Sequence, residues 1–270
     1  RAGRAGRLAP GTCYRMWTRA IQARMSEHRV PEILEADLSS MILDIAEWGV
    51  TDVQQLTWLT TPPKGALAEA YDTLQQLEAV DQGRITPQGK MINRLPCHPR
   101  IAHLLLMAKE NGTLGLATDL AAVLEERDPL PQEQSVDINR RIIALRRQRS
   151  YKSVQKNMVR IEKIAASYRK MFGINEENGD VDPYETGVLL VYAYPERIAC
   201  SRPGNNAQYQ LSNGSYAMFS HKDDLSNEPW LAVANMDARD GLGKIFLASP
   251  LNPKDLAPLV KEHEIITWDT

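Results

Sequence analysis

Residues 194–219 read "YPERIACSRPGNNAQYQLSNGSYAMF", and they decide what the last third of the chain folds into. Asn213-Gly214 stands between "QYQLS" and "SYAMF", and this dipeptide suits the positive φ angles of a two-residue hairpin turn. Working outward, "RIACS", "AQYQL", "YAMF", "WLAVANM" and "KIFLAS" are short segments of strand character. They are separated by "RPGNN", "SNG", "SNEP" and "DARDGLG", all rich in turn residues. Five short strands in about 75 residues suit a small barrel or an OB-like fold, an architecture that often binds single-stranded nucleic acid. Arg202, Asn205 and Asn206 fall in its loops, with Arg197 and Tyr209 on flanking strands. Taken singly, each of these residues fits a structural role at least as well as contact with a base.

Upstream, the pattern is helical. "PEILEADLSSMILDIAEWG" places Leu34, Leu38, Met41, Ile42, Ile45 and Trp48 at helical spacing and stops at Gly49. "PPKGALAEAYDTLQQLEAV" repeats the pattern with Leu67, Tyr71, Leu74 and Leu77, opening on prolines that suit a first turn. "DQGRITPQGKMINRLP" then offers a turn, a short Arg84-Ile85-Thr86 strand and a second turn at Gly89. Helix, helix and a small β element is the order of a winged helix, a fold used for nucleic-acid binding and equally as a spacer. From His98 to about Phe172 the pattern predicts only helices, broken at "ENGT" and "ERDPLP". "GINEENGDVDPYETG" (173–187) is acidic and turn-rich, as a linker would be.

The most basic stretch runs from Arg140 to Lys163, with Arg141, Arg146, Arg147, Arg149, Lys152, Lys156 and Arg160 between them and only Glu162 opposing. Ile142, Ile143, Leu145, Val154, Met158, Ile161 and Ile164 keep an apolar stripe through it. One face therefore packs while another stays positive. Such a helix is either a solvated face or a surface that tracks phosphates.

Composition bounds these readings. The chain has 270 residues, 43% hydrophobic and 24% charged, with a formal net charge of −2. Two or three domains fit that length, and a near-neutral charge confines any nucleic-acid site to a local basic patch. Cys13, Cys97 and Cys200 are dispersed and make no CxxC motif, which predicts reduced thiols in a cytoplasmic protein. No apolar run of membrane-spanning length is present.

At the other end, "RAGRAGRLAPG" (1–11) repeats arginine every third residue, and helical placement would aim Arg4 and Arg7 at one point. Paired guanidinium forks suit phosphate oxygens, although a solvated, frayed terminus would read the same way. "TCYRMWT" (12–18) predicts a short strand. Together, "RAGRAGRLAPGTCYRMW", "LSSMILDIAEWG", "ITPQGKMINRLPCHPRIAHLLL" and "YPERIACSRPGNNAQYQLSNGSYAMF" resemble the DEAH-type superfamily 2 RNA helicases, in particular a bacterial branch of them, over essentially the whole chain. The first matches the end of the family's sixth helicase motif, "QRxGRAGR", without its leading Gln.

The resemblance implies a mostly α chain with a C-terminal β module. Residues 1–27 would end the second RecA-like domain, 28–95 would form a winged helix and 96–172 a ratchet-like helical bundle. Residues 173–185 would be a linker, and 186–270 an OB-like module cut short at "EHEIITWDT". It also implies ATP with Mg²⁺ as cofactor, Arg4, Arg7 and Gly6 at the nucleotide, and Arg7 as the arginine finger. RNA, single-stranded in its channel, would be the partner, passing Arg146, Arg147, Arg149 and Arg202 during 3′ to 5′ translocation. Only Arg4, Arg7 and Gly6 follow from a motif, the four RNA positions from charge and general position. No GxxxxGK[ST] and no DEAH box occur, so a fragment of a larger helicase that does not itself hydrolyse ATP is expected. The competing expectations are a non-enzymatic nucleic-acid-binding adaptor and a C-terminal module that docks a protein partner.

Overall fold

The computed structural model describes residues 6, 8–26, 29–151, 156–202, 204–237 and 241–257, with backbone alone at 156 and 205–207. Helix α1 (Arg19–Arg24) is capped by the Thr18 hydroxyl, which accepts from the Ile21 amide, and buries none of its residues. The expected strand at 12–18 is not there: these residues pair with no neighbour among the described residues and stay exposed. A strand needs a ladder partner, and no described strand pairs with them.

Four helices and a minimal hairpin follow: α2 (Ser39–Glu47), α3 (Lys64–Gln76), β1 (Val80–Asp81), β2 (Arg84–Ile85) and α4 (Pro87–Asn93) lead into α5 (Pro99–Asn111). The helical pattern predicted from Pro31 onward is interrupted. Asp37 accepts from the Ser39 amide at 2.7 Å and makes a start signal for α2, leaving Glu32–Leu34 as a single 3-10 turn. Trp48, expected on the buried stripe, is 77% exposed just past the helix end. Ile42, Leu43, Leu74, Leu77, Ala79 and Ile92 close the core of this unit. Gly83 adopts φ 76° in the tight turn of the hairpin, and Thr86 caps α4 by accepting from the Gly89 amide.

Helices α5, α6 (Leu114–Glu125), α7 (Asn139–Tyr151) and α8 (Lys156–Phe172) pack around Leu104, Leu105, Leu120, Ile142, Leu145 and Ile161. A fifth helix, α9 (Pro183–Ala193), shares that core, starting where Asp182 accepts from the Tyr184 amide. The stretch read as a linker is thus partly helical, and its turn-rich first half lies against α7. Gly187 permits a close approach of α9 to the chain near Pro250: a Cβ there would stand 2.1 Å from the Pro250 carbonyl oxygen.

All five expected C-terminal strands form: β3 (Ile198–Arg202), β4 (Asn205–Leu211), β5 (Tyr216–Phe219), β6 (Trp230–Asp237) and β7 (Leu242–Pro250). They close into a barrel in the order β3-β4-β5-β7-β6, with β6 antiparallel to β3 at the seam and β5 parallel to β7. Tyr209 and Phe219 meet edge to face inside it at 5.4 Å, and the Tyr209 hydroxyl donates to the carbonyls of Leu225 and Glu228. Gly214 takes φ 84° in the predicted hairpin turn. The barrel is stitched to the helices where the Ala248 amide donates to Val136 and the Ile138 amide donates to Ala248. A short final helix, α10 (Pro253–Leu256), ends the described chain.

Candidate nucleic-acid interface

Helix α7 carries Arg140, Arg141, Arg146, Arg147 and Arg149, and burial divides them sharply. Asp119 on α6, 1% exposed at its side chain, receives Arg146 Nε at 3.0 Å, Arg149 Nη2 at 2.6 Å and Arg169 Nη1 at 3.3 Å. Glu162 on α8 holds Arg149 at 2.7 Å and also pairs with Arg169, and Glu177 reaches Arg146 at 3.3 Å. Arg146 also donates to the Gly179 carbonyl, and Arg149 to that of Glu177. Burial opposes the charge of Arg149, yet hydrogen bonds and charge from Asp119 and Glu162 outweigh it and raise its pKa above the ordinary arginine value.

Arg146 and Arg149, expected from the basic run to face a nucleic-acid backbone, turn inward onto carboxylates. The reason is physical. A desolvated guanidinium needs a partner nearby, and Asp119, Glu162 and Glu177 come from three other segments invisible in the basic run itself. Arg141 is likewise internal, bidentate on Asp128 and donating to the carbonyls of Ser135 and Asp137. Arg140 pairs at the surface with Asp224 at 3.0 Å and Glu133 at 3.4 Å. Arg147 alone of the five has no hydrogen bond or ion pair with any described residue, and it is exposed. One turn on, Tyr151 is 81% exposed.

On the barrel, Arg202 lies at the end of β3 with its guanidinium 5.0 Å from the Tyr216 ring centroid. It also donates to Gln208 Oε1 at 3.2 Å. The register Gln208↔Met218↔Lys244 puts these three side chains on the same outward face of β4, β5 and β7. Arg202 is therefore exposed but pre-oriented. Arg197 instead points toward the helices, 4.5 Å from the Tyr194 ring and donating to the Ala234 carbonyl.

Between the three units lies a cavity of about 470 Å³, lined among others by Asp37, His98, Arg100, Glu125, Tyr194 and Arg197. Arg100 ties the units together, donating to Thr73 of α3, to the Ala193 carbonyl at the end of α9 and to Glu196. His98 caps α5 through Nδ1 and meets Asp37 through Nε2 at 3.3 Å. That contact, with help from Ser39, holds the Asp37 carboxyl well below the usual carboxylate range, against burial. The acidic side chains that share this cavity make it a joint rather than a phosphate track.

Arg4 and Arg7 lie outside the described residues, as do Lys152 and the side chains of Asn205 and Asn206; Gly6 is exposed with open space around it. Among the described residues no group of His, Cys, Asp and Glu side chains could hold a metal ion. These residues do not by themselves fit a magnesium–nucleotide site. No described helix is long and apolar enough to cross a membrane.

The homologues of this chain are DEAH-type ATP-dependent RNA helicases. Among them is the ATP-dependent RNA helicase HrpB of Escherichia coli, 31% identical over 280 residues, covering 100% of this chain and 32% of HrpB. The probable ATP-dependent RNA helicase DHR2 of Saccharomyces cerevisiae is 31% identical over 150 residues, 54% of this chain and 20% of that protein. A crystal structure of E. coli DExH-box NTPase HrpB matches with a TM-score of 0.69 at 29% identity, covering 95% of this chain and 30% of that one. No protein-family model matches the chain. The chain spans about a third of the length of HrpB.

Proposed function

We propose that this chain is the C-terminal accessory portion of a cytoplasmic ATP-dependent RNA helicase, and that it lines the path of single-stranded RNA as the motor translocates and unwinds. The observation that carries this reading is the likeness to HrpB, which runs through the whole chain in sequence and 95% of it in structure. In this reading residues 1–27 end the second RecA-like domain. An α1 that buries nothing supports it, because such a segment needs a larger body to pack on. Residues 28–95, with the three helices α2, α3 and α4 and the β1–β2 hairpin, act as the winged helix, and 96–172 as the ratchet-like bundle. The barrel acts as an OB module, supported by its closed order, in which the third and fifth strands run parallel.

ATP and Mg²⁺ would be held mainly by motor domains outside this chain. The chain's own contribution would be Arg4 and Arg7 at the γ-phosphate, with Gly6 allowing close approach. RNA would meet the chain at Arg147 on α7 and at Arg202 on the barrel, both exposed, rather than at the ion-paired Arg146 and Arg149. Movement is expected to run 3′ to 5′.

The test is ATP hydrolysis by the intact protein with and without RNA, for wild type and Arg7→Ala. RNA-stimulated hydrolysis that falls by roughly 10³-fold or more in the variant is expected, the size of an arginine-finger loss. Hydrolysis indifferent both to RNA and to Arg7 would overturn the reading.

A further inference from the structure

Helix α7 leaves one arginine unneutralised and sets an exposed aromatic one turn beyond it. Four of its five arginines are ion-paired, to Glu133 and Asp224, to Asp128, to Asp119 and Glu177, and to Asp119 and Glu162. Arg147 has no such partner among the described residues. Positions 147 and 151 are four apart, so their side chains are neighbours on one helix face.

Two open cavities flank this pair. One, of about 560 Å³, is bordered by Leu130, Arg140 and Gln148; the other, of about 440 Å³, by Ser150, Asn178 and Asp180. Arg147 and Tyr151 line both, and so form the ridge between them. Beneath the ridge, Arg146 and Arg149 anchor the same helix into α6, α8 and the 177–180 turn, which keeps the platform rigid.

We propose that Arg147 and Tyr151 form a nucleotide platform for single-stranded RNA: the Tyr151 ring stacks on a base and the Arg147 guanidinium pairs with a backbone phosphate. The inference rests on the RNA-binding reading above and names where on this chain one nucleotide sits. Charge complementarity selects the occupant. An unpaired guanidinium beside a bare aromatic ring matches a polyanion that also presents flat π faces, whereas an acidic peptide would use the charge and leave the ring idle. Stacking tolerates any base, so the platform binds without regard to sequence.

The experiment is fluorescence anisotropy of the intact protein with a labelled oligouridine of about 12 nucleotides, across a salt series. The variants are Tyr151→Ala, Tyr151→Phe and Arg147→Ala. Wild type should bind. Tyr151→Ala should weaken affinity roughly tenfold with the salt slope unchanged, and Tyr151→Phe should restore it, since phenylalanine stacks as well. Arg147→Ala should flatten the slope of log K against log salt by about 0.7, the share of one phosphate on a single strand. If wild type binds while Tyr151→Ala and Arg147→Ala bind equally well, the platform is refuted and RNA binding by the protein stands. If wild type fails to bind at low salt, the RNA reading falls and the platform with it. Circular dichroism of each variant separates lost contacts from lost fold.

Discussion

Asp119→Asn is the substitution that most sharply tests whether the basic helix is internal scaffolding. Asp119 is 1% exposed at its side chain and serves three guanidinium groups, those of Arg146, Arg149 and Arg169. The asparagine keeps the shape and one acceptor oxygen but removes the charge. Removing one member of a buried ion pair typically costs about 3–5 kcal/mol, because the partner is left charged and desolvated. Here Glu162 and Glu177 still neutralise part of the cluster, which places the expected loss near the lower bound, about 3 kcal/mol. For a unit of this size that is a fall in melting temperature of roughly 6–12 °C, at about 2–4 °C per kcal/mol. Thermal unfolding followed by circular dichroism measures it. Arg147→Ala serves as the control and should stay within about 0.5 kcal/mol of wild type, as an exposed, unpaired side chain does. An Asp119→Asn protein as stable as wild type that bound RNA more tightly would refute the reasoning. It would mean that Arg146 and Arg149 are free to turn to phosphates.

Other consequences follow from individual contacts. Gly187→Ala should destabilise by about 1–3 kcal/mol, seen as a lower urea midpoint, because the added Cβ meets the Pro250 carbonyl oxygen at 2.1 Å where α9 crosses β7. Thr86→Ala should cost about 1 kcal/mol in the same assay by removing the cap of α4. Asp37 releases its proton more readily folded than unfolded, owing first to the His98 hydrogen bond. Its contribution is therefore present in full above about pH 4, the unfolded carboxylate value. It is lost as pH falls through the lower folded value, so Asp37→Asn should flatten the acid limb of a stability–pH curve. Burial pushes the Cys97 thiol up to about 12, so at pH 8 iodoacetamide should label the exposed Cys13 well before Cys97, read by mass spectrometry.

Much of the fold is legible in the sequence because it is written locally. The Asn213-Gly214 turn and its flanking strands are short-range signals that the tertiary structure keeps, whereas Thr86, in an expected strand, and Asp182, in an expected linker, turn out to cap helices. What escapes is set by distant partners. "TCYRMWT" has strand composition but no neighbour, and so pairs with nothing described. Helix α9 lies in a run, "GVLLVYA", whose continuous apolar character fits a buried strand or a buried helix alike. Packing of Gly187 against β7 accompanies the helical choice. Trp48 keeps the helical phase yet falls one residue beyond α2, where the core no longer reaches it.

The candidate site divides along the same line. Density of positive charge between residues 140 and 163 is visible in the sequence, but its sorting into five ion-paired arginines and one, Arg147, with no partner among the described residues is not. That sorting depends on Asp119, Glu162 and Glu177, contributed by α6, α8 and the turn before α9. Tyr151 carries no signal of its own in a helix otherwise read for charge; its spacing of four from Arg147 is the pattern that could have found it.

The central claim is that RNA crosses this chain over the exposed ends of α7 and the barrel, and ultraviolet crosslinking addresses it most directly. A 4-thiouridine oligonucleotide would be bound to the intact protein, irradiated, and its adducts mapped by mass spectrometry. Adducts on the peptides holding Tyr151 and Tyr216, lost in high salt, are the predicted result. Efficient crosslinking confined to other peptides would contradict it.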